Sequence, residues 1–335
     1  MQPPADPYRS SAGLATAASG STACVAHDPA CTPPGADDPA ADQPPSRQAG
    51  VAHPAPFTPA EILQQAGAEN FPVAPWFLPR TYRRHLTAVY GFARLVDDLG
   101  DEARGDRAAL LDAFEADLIR VWDAQPETPL LRALQPTVRE CGLSREPFLR
   151  LVEANRRDLT VHRYETYDDL RGYCALSADP VGHIVLEIFG VSTPSRIALS
   201  DRVCTALQIV EHCQDVGEDR RNGRVYLPQE DLRRFGVSDD DLTAAVAGPR
   251  LRAALAFEVD RAGALLDEGT PLVATLTGTA RLAVAGFVAG GRAAIAAIRR
   301  ADHEVLSATR SPRKRVVATE TLGVLLRHRP ARSGA

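Results

Sequence analysis

The sequence predicts an all-α protein, a bundle of helices. Three observations carry that expectation. Apolar residues recur at three- and four-residue spacing from about residue 58 to about residue 300. No stretch shows the sustained apolar–polar alternation of a strand. Pro and Gly, at Pro126, Pro129, Gly142, Pro147, Pro180, Pro194, Gly223, Pro228, Gly236 and Pro249, cut the pattern into helix-length segments.

Taken in order, residues 1–56 are rich in Pro, Ala, Gly, Ser and Asp and almost lack large apolar side chains. Such a segment cannot bury enough surface to offset its ordering entropy, so disorder is expected. Order is expected to begin at Thr58-Pro59-Ala60-Glu61, where a capping Thr, a Pro at the first helical position and a Glu at the third make a helix-start signature. The span 57–305 then reads as one domain of about ten helices, long enough to enclose a cavity. Trp76 and Phe77 read as core. The apolar stretch Leu282–Ile298 is interrupted by Gly290, Gly291 and Arg292, a poor pattern for a membrane span; small residues from about Leu272 suit close helix packing or a widened tunnel. Residues 306–335 are basic, with Arg310, Arg313, Lys314, Arg315, Arg327, Arg329 and Arg332 set among valines and leucines. Two readings stand for this tail: docking on an anionic membrane surface, or a charged helix packed on its own domain.

Composition narrows the function classes. A net charge of −5 and a pI near 5.9 give no reason to expect nucleic acid as a partner. The six cysteines show no CxxC spacing, which argues against a zinc site or a disulfide framework and for a reducing cytoplasm. The N-terminus lacks the basic start and apolar core of a secretory signal.

The chemistry is expected at two acidic motifs. The first, Asp97-Asp98-Leu99-Gly100-Asp101-Glu102, ends a helix running from about Arg80. Leu86, Tyr90 and Ala93 share one face of it, and the same spacing carries that face on to Asp97 and Asp101. Arg94 stands three residues before Asp97. The second, Asp215-Val216-Gly217-Glu218-Asp219, ends a helix from about Pro194, where Cys204, Gln208, Glu211, Asp215 and Asp219 recur at three- and four-residue steps. It leads into Arg220-Arg221-Asn222-Gly223-Arg224-Val225-Tyr226-Leu227-Pro228, which mixes phosphate-binding groups with a turn.

Either motif alone is often a solvated, acidic helix end. Two facts argue otherwise here. Acidic groups at helix C-termini oppose the helix dipole, and both motifs sit there. Carboxylates converging on an interior need a counter-charge. Mg²⁺, which prefers a few carboxylates plus water and phosphate oxygens, supplies one and bridges to a diphosphate. Arg94 and Arg224 are candidates for the rest of the charge. Tyr90 and Tyr173 read equally as core aromatics, Gln208 as a satisfied buried amide, and His183 and His212 as structural or surface residues.

The segments Tyr90–Asp98, Gly172-Tyr173-Cys174 and Gln214–Pro228 resemble the squalene and phytoene synthases, over a stretch from about Glu69 to about Arg300. The resemblance implies a class I isoprenoid synthase fold with Mg²⁺ held by both aspartate motifs. Glu69–Ala74, Ser177–Gly182 and Gln214 resemble the hydroxysqualene synthase branch, which ionises presqualene diphosphate, rearranges the cation and quenches it with water. Carried over by residue, Asp97, Asp101, Asp215 and Asp219 are metal ligands, as is Glu211 where the family usually has Asn. Arg94 and Tyr90 face the diphosphate, with Arg224 and Tyr226 on its turn. Gln208 and Asn70 contact substrate, and Tyr173 guides the cation. Gln214 replaces an Arg found in many relatives, and Ala68-Glu69-Asn70-Phe71 replaces a Ser-containing segment. Both departures suit an enzyme of the second half-reaction only. Condensation of farnesyl or geranylgeranyl diphosphate is the alternative. A non-catalytic assembly protein is the remote one, since both carboxylate pairs are intact.

Overall fold

In the computed structural model, which describes residues 78–101, 103–307 and 314–329, the chain enters α1 (Arg80–Asp101) directly after Pro79. There follow α2 (Arg107–Asp123), α3 (Pro129–Cys141), α4 (Glu146–Asp158), α5 (Tyr167–Ser177), α6 (Asp179–Ile188) and α7 (Pro194–Gln214). Beyond them lie α8 (Val216–Arg221), α9 (Gln229–Phe235), α10 (Asp239–Thr243), α11 (Pro249–Gly269), α12 (Leu272–Thr275), α13 (Gly278–Arg300) and α14 (Lys314–Arg327). Among the described residues there is no strand, only an isolated bridge between Arg163 and Val225. The all-α expectation holds. The tail 1–56, the helix start at Thr58–Glu61, and Asn70, Trp76, Phe77, Glu102, Arg310, Arg313 and Arg332 lie outside the described residues.

Local chemistry explains where the helices start and stop. Asp106 caps α2 by accepting from the Ala109 amide at 3.1 Å. Thr166 and Asp169 form a reciprocal capping box on α5, and Ser238 and Asp241 do the same on α10. Gly142 ends α3 in the left-handed conformation.

Two apolar clusters make the core. One joins α1 to α4, with Phe92, Phe114, Phe148 and Trp122 in edge and stacked ring contacts. The other is built from α5, α7, α11 and α13 around Leu170, Ile209, Leu255, Val259 and Val288. The α7–α11 contact is close because Gly269 has no side chain: a Cβ there would stand 2.9 Å from the Leu199 carbonyl oxygen. The two clusters leave a cleft between the wall of α1 and α4 and the wall of α5 and α7.

Two expectations need correction. The second acidic motif is not on one helix. The chain breaks at Asp215, which caps α7, and α8 starts at Val216, although the Asp219 amide still donates to the Asp215 carbonyl at 2.8 Å. The small-residue segment from Leu272 to Ile298, which reads as one helix in sequence, is also two, α12 and α13, divided at Leu276 and Thr277. Helix α13 is long and apolar enough to cross a membrane by length and composition, but 61% of its apolar window is buried inside the fold. Within 306–335, α14 packs on α13 with Val324 fully buried. Arg281 of α13 donates to the carbonyls of Leu325 at 2.6 Å and His328 at 3.1 Å, which satisfies two C-terminal acceptors.

Candidate active site

The cleft is lined by residues from α1, α4, α5, α7, α8 and the loop after α8, and has a volume of ≈ 300 Å³. Asp97 and Asp101 face it from the last turn of α1, four residues apart and therefore on one side of the helix. Across from them, Gln208, Glu211 and His212 come from α7, Asp215 from its cap and Asp219 from α8. Arg224 and Tyr226 come from the following loop, tied back to the body by the Val225 amide donating to His162 O at 2.9 Å.

The apolar spacing of α1 does run on into carboxylates, as expected, but the interior they reach is a water-accessible cleft. Asp97 and Asp101 are exposed to it, and the deeply buried acid of the motif is Asp98. Asp98 takes Arg94 as its ion-pair partner, Nε to Oδ1 at 2.9 Å, one turn apart on α1. Arg94 and Tyr90 are half-buried on α1 and lie outside the lining of the cleft. Gln214 is buried and also outside it.

Sequence reading missed the support from α4. Asn155 Nδ2 donates to Asp97 Oδ1 at 3.1 Å and to the Leu151 carbonyl at 3.1 Å. Gly100 makes room for it: a Cβ on Gly100 would stand 2.3 Å from Asn155 Oδ1. Asp158, 8% exposed, accepts from Tyr173 Oη at 2.6 Å and Tyr226 Oη at 3.0 Å. A signal was present. Phe148, Leu151 and Val152 set an apolar stripe on α4, and the same spacing continues into Asn155 and Asp158. His212, read as structural, lines the cleft, stacks on Tyr226 at 3.9 Å and 13°, and stands 3.7 Å from Asp219. Its ring is 3.3 Å from Gln208 Nε2.

The electrostatics are those of a site short of positive charge. Burial pushes the Asp97 carboxyl up to about 7, and repulsion from Asp101 and Asp98 adds to it against the Asn155 hydrogen bond and Arg94. The carboxylate is open to the cleft, yet the surrounding walls are dense enough for desolvation to dominate. Burial, then repulsion from Glu211, Asp219 and Glu218, lifts Asp215 to about 6. Burial raises Asp158 too, opposed by Tyr173, Arg224 and Tyr226. Arg224 ion-pairs with Asp101 and its own pKa is raised further, so it stays charged.

Asp97, Asp101, Glu211, Asp215 and Asp219 therefore bring five hard oxygen-donor groups to one cleft, with Arg224 as the cation in its lining. Among the described residues no three His, Cys, Asp or Glu side chains close on a single cation position. The set fits a hard divalent cation completed by water and ligand oxygens rather than an all-protein cage. Beside it, Tyr164, Tyr173, Tyr226 and His212 form a patch of aromatic faces, with centroids 5.3 Å apart for Tyr173 and Tyr226. Carboxylates next to an aromatic wall can hold an anionic leaving group through cations and face the positive charge it leaves behind.

The family model described as squalene/phytoene synthase matches residues 64–320. The chain is 38% identical over 212 residues to a hydroxysqualene synthase of Rhodopseudomonas palustris, covering 62% of this chain and 71% of that one. It is 33% identical over 230 residues to a 15-cis-phytoene synthase of Synechococcus elongatus, covering 64% and 74%. Among solved structures, it is similar to a squalene synthase, HpnC, from Alicyclobacillus acidocaldarius, with TM-score 0.67 and 46% identity over 73% of this chain and 94% of the other. A dehydrosqualene synthase solved with a ligand gives TM-score 0.71 at 25% identity, covering 80% and 95%.

Proposed function

The chain belongs to the squalene/phytoene synthase family, and we propose that within it the protein converts presqualene diphosphate to hydroxysqualene. The observation that carries this is the placement of Asp97 and Asp101 opposite Glu211, Asp215 and Asp219, next to the Tyr173–Asp158–Tyr226 cluster. Hydroxysqualene synthases among the relatives support the branch.

The cleft takes the diphosphate end of the substrate. Asp97 and Asp101 on one wall and Glu211, Asp215 and Asp219 on the other would hold Mg²⁺, which when bound would supply positive charge to offset that on a departing diphosphate. Arg224 adds a fixed cation, and Asn155 keeps Asp97 turned toward the cleft. Arg94, oriented by Asp98, acts from behind the lining through longer-range charge. Tyr173 and Tyr226 are committed as donors to Asp158, so their ring faces and oxygen lone pairs are left for the cation formed on ionisation. Gln208 and His212 bound the space in which water is admitted to quench it. We assign the reaction to the cytoplasm, at the inner face of the membrane from which a lipid substrate is drawn.

Purified protein with Mg²⁺ and without NADPH should form hydroxysqualene from presqualene diphosphate and leave farnesyl diphosphate untouched. Phytoene synthases among the relatives keep a second reading, head-to-head condensation, in play. Consumption of farnesyl or geranylgeranyl diphosphate in the same assay would establish that reading and overturn ours.

A further inference from the structure

Helix α14 is fixed to the body on one side and bare on the other. Val324 is fully buried against the core, and the Arg281 guanidinium clamps the last turn. On the opposite face, Arg315, Ala318, Leu322 and Leu326 are all exposed. Steps of three to four residues put them in one row along the helix. Leu322 is 59% exposed and Leu326 53%; together with Val181 and Val246 they are the exposed large apolar side chains among the described residues. Only this pair lies one turn apart on one helix.

The charged residues in line with the two leucines along α14 have one sign. Arg315 stands at the start of the row, and Arg329 is exposed just beyond its end. The acid of α14, Glu320, lies on another side of the helix, 3.7 Å from Arg327. A row of leucines bracketed by arginines, with no carboxylate in it, complements a surface that is apolar below and anionic above.

We infer that this face of α14 seats the protein on an anionic lipid bilayer, with Leu322 and Leu326 entering the headgroup layer and Arg315 and Arg329 meeting lipid phosphates. The choice of a lipid surface over another polyanion rests on the proposed reaction, whose substrate and product are lipids. The ordered packing of α14 on α13 means that no folding step is needed on contact, so the helix acts as a preformed edge.

The test is co-sedimentation of the full chain with large vesicles that contain no substrate. Phosphatidylglycerol–phosphatidylcholine vesicles are compared with phosphatidylcholine alone, for wild type, for Leu322→Ser/Leu326→Ser and for Arg315→Gln. Binding to the anionic vesicles only, weakened by salt and reduced at least tenfold by the double variant, is the expected result. Unchanged thermal melting, and unchanged turnover of detergent-solubilised substrate, would show that the variants are folded. No binding to anionic vesicles, or equal binding by wild type and the double variant, overturns the inference. A wild-type dimer that the double variant converts to monomer also overturns it, because the face would then be covered by a second copy. Since the vesicles carry no substrate, the outcome is independent of whether presqualene diphosphate is turned over.

Discussion

Tyr173 Oη lies 2.6 Å from Asp158 Oδ2, and Tyr226 Oη lies 3.0 Å from the other oxygen of the same carboxylate. One buried acid at the end of α4 thus fixes tyrosines from α5 and from the loop after α8. Hydrogen bonds to an ionised acceptor are worth about 1.5–3 kcal/mol each. Asp158→Asn keeps the shape of the side chain and removes the charge. If the tyrosine orientation matters chiefly in the transition state, kcat should fall about 10- to 100-fold with little change in KM. Steady-state kinetics check this, with circular dichroism to confirm the fold, and an unchanged kcat would remove Asp158 from the site.

Asp97 and Asp215 are each lifted toward neutrality by desolvation and by neighbouring acids. Ionising them in the metal-free protein therefore opposes folding, and a cation reverses the sign. Asp97→Asn and Asp215→Asn should each lower turnover by several orders of magnitude. The same variants should melt at the same or a higher temperature than wild type at pH 8 in the presence of EDTA. Paired activity and melting measurements test the idea. A variant that loses activity only because it melts earlier would identify a structural role instead.

The sequence was informative where polar residues interrupt an apolar period. That logic put Asp97 and Asp101 on one helix face and Glu211, Asp215 and Asp219 on another; the family resemblance joined them as one metal site, and the structure brings all five to the same cleft. It also reaches Asn155 and Asp158, because they continue the stripe of Phe148, Leu151 and Val152, but only once α4 is known to face α1. Periodicity gives the face of a helix and not its neighbour, so the Asn155–Asp97 and Asp158–Tyr226 bonds had no local trace. The break at Asp215 was equally hidden, since Gln214-Asp215-Val216 contains neither Pro nor Gly. Arg94 was legible as a cation near the motif, but its pairing with Asp98 was not.

Gly100 is where the packing of α4 against α1 is tightest at the site. A methyl group there would collide with the side chain of Asn155, which holds Asp97. Gly100→Ala should destabilise the protein by about 1–3 kcal/mol, the usual cost of overpacking. Asn155→Ala removes the obstacle, so the double variant should be less destabilised than the sum of the two single ones. Chemical denaturation of the four proteins measures the coupling, and strict additivity would refute the contact.

Glu258, 1% exposed on α11, shares the Arg261 guanidinium with Asp231 of α9, at 3.1 and 2.9 Å. Arg261 also lies over the rings of Tyr167 and Phe257, and Cys213 of α7 faces the same space. Burial lifts Glu258 to about 8 from an ordinary 4.5, and the neighbouring Asp231 adds to the rise against the pull of Arg261. The folded protein therefore holds a proton that the unfolded chain releases near pH 4.5. Between those two values the folded state binds more protons, so stability must fall as pH rises. The contribution is complete below about pH 4.5 and is lost on passing about pH 8. Glu258→Gln fixes the neutral form and should flatten the decline in unfolding free energy between pH 6 and 9, leaving the variant the more stable protein at pH 9. Urea titrations across that range, made on both proteins, decide it; parallel curves would mean that Glu258 is ionised in the fold throughout.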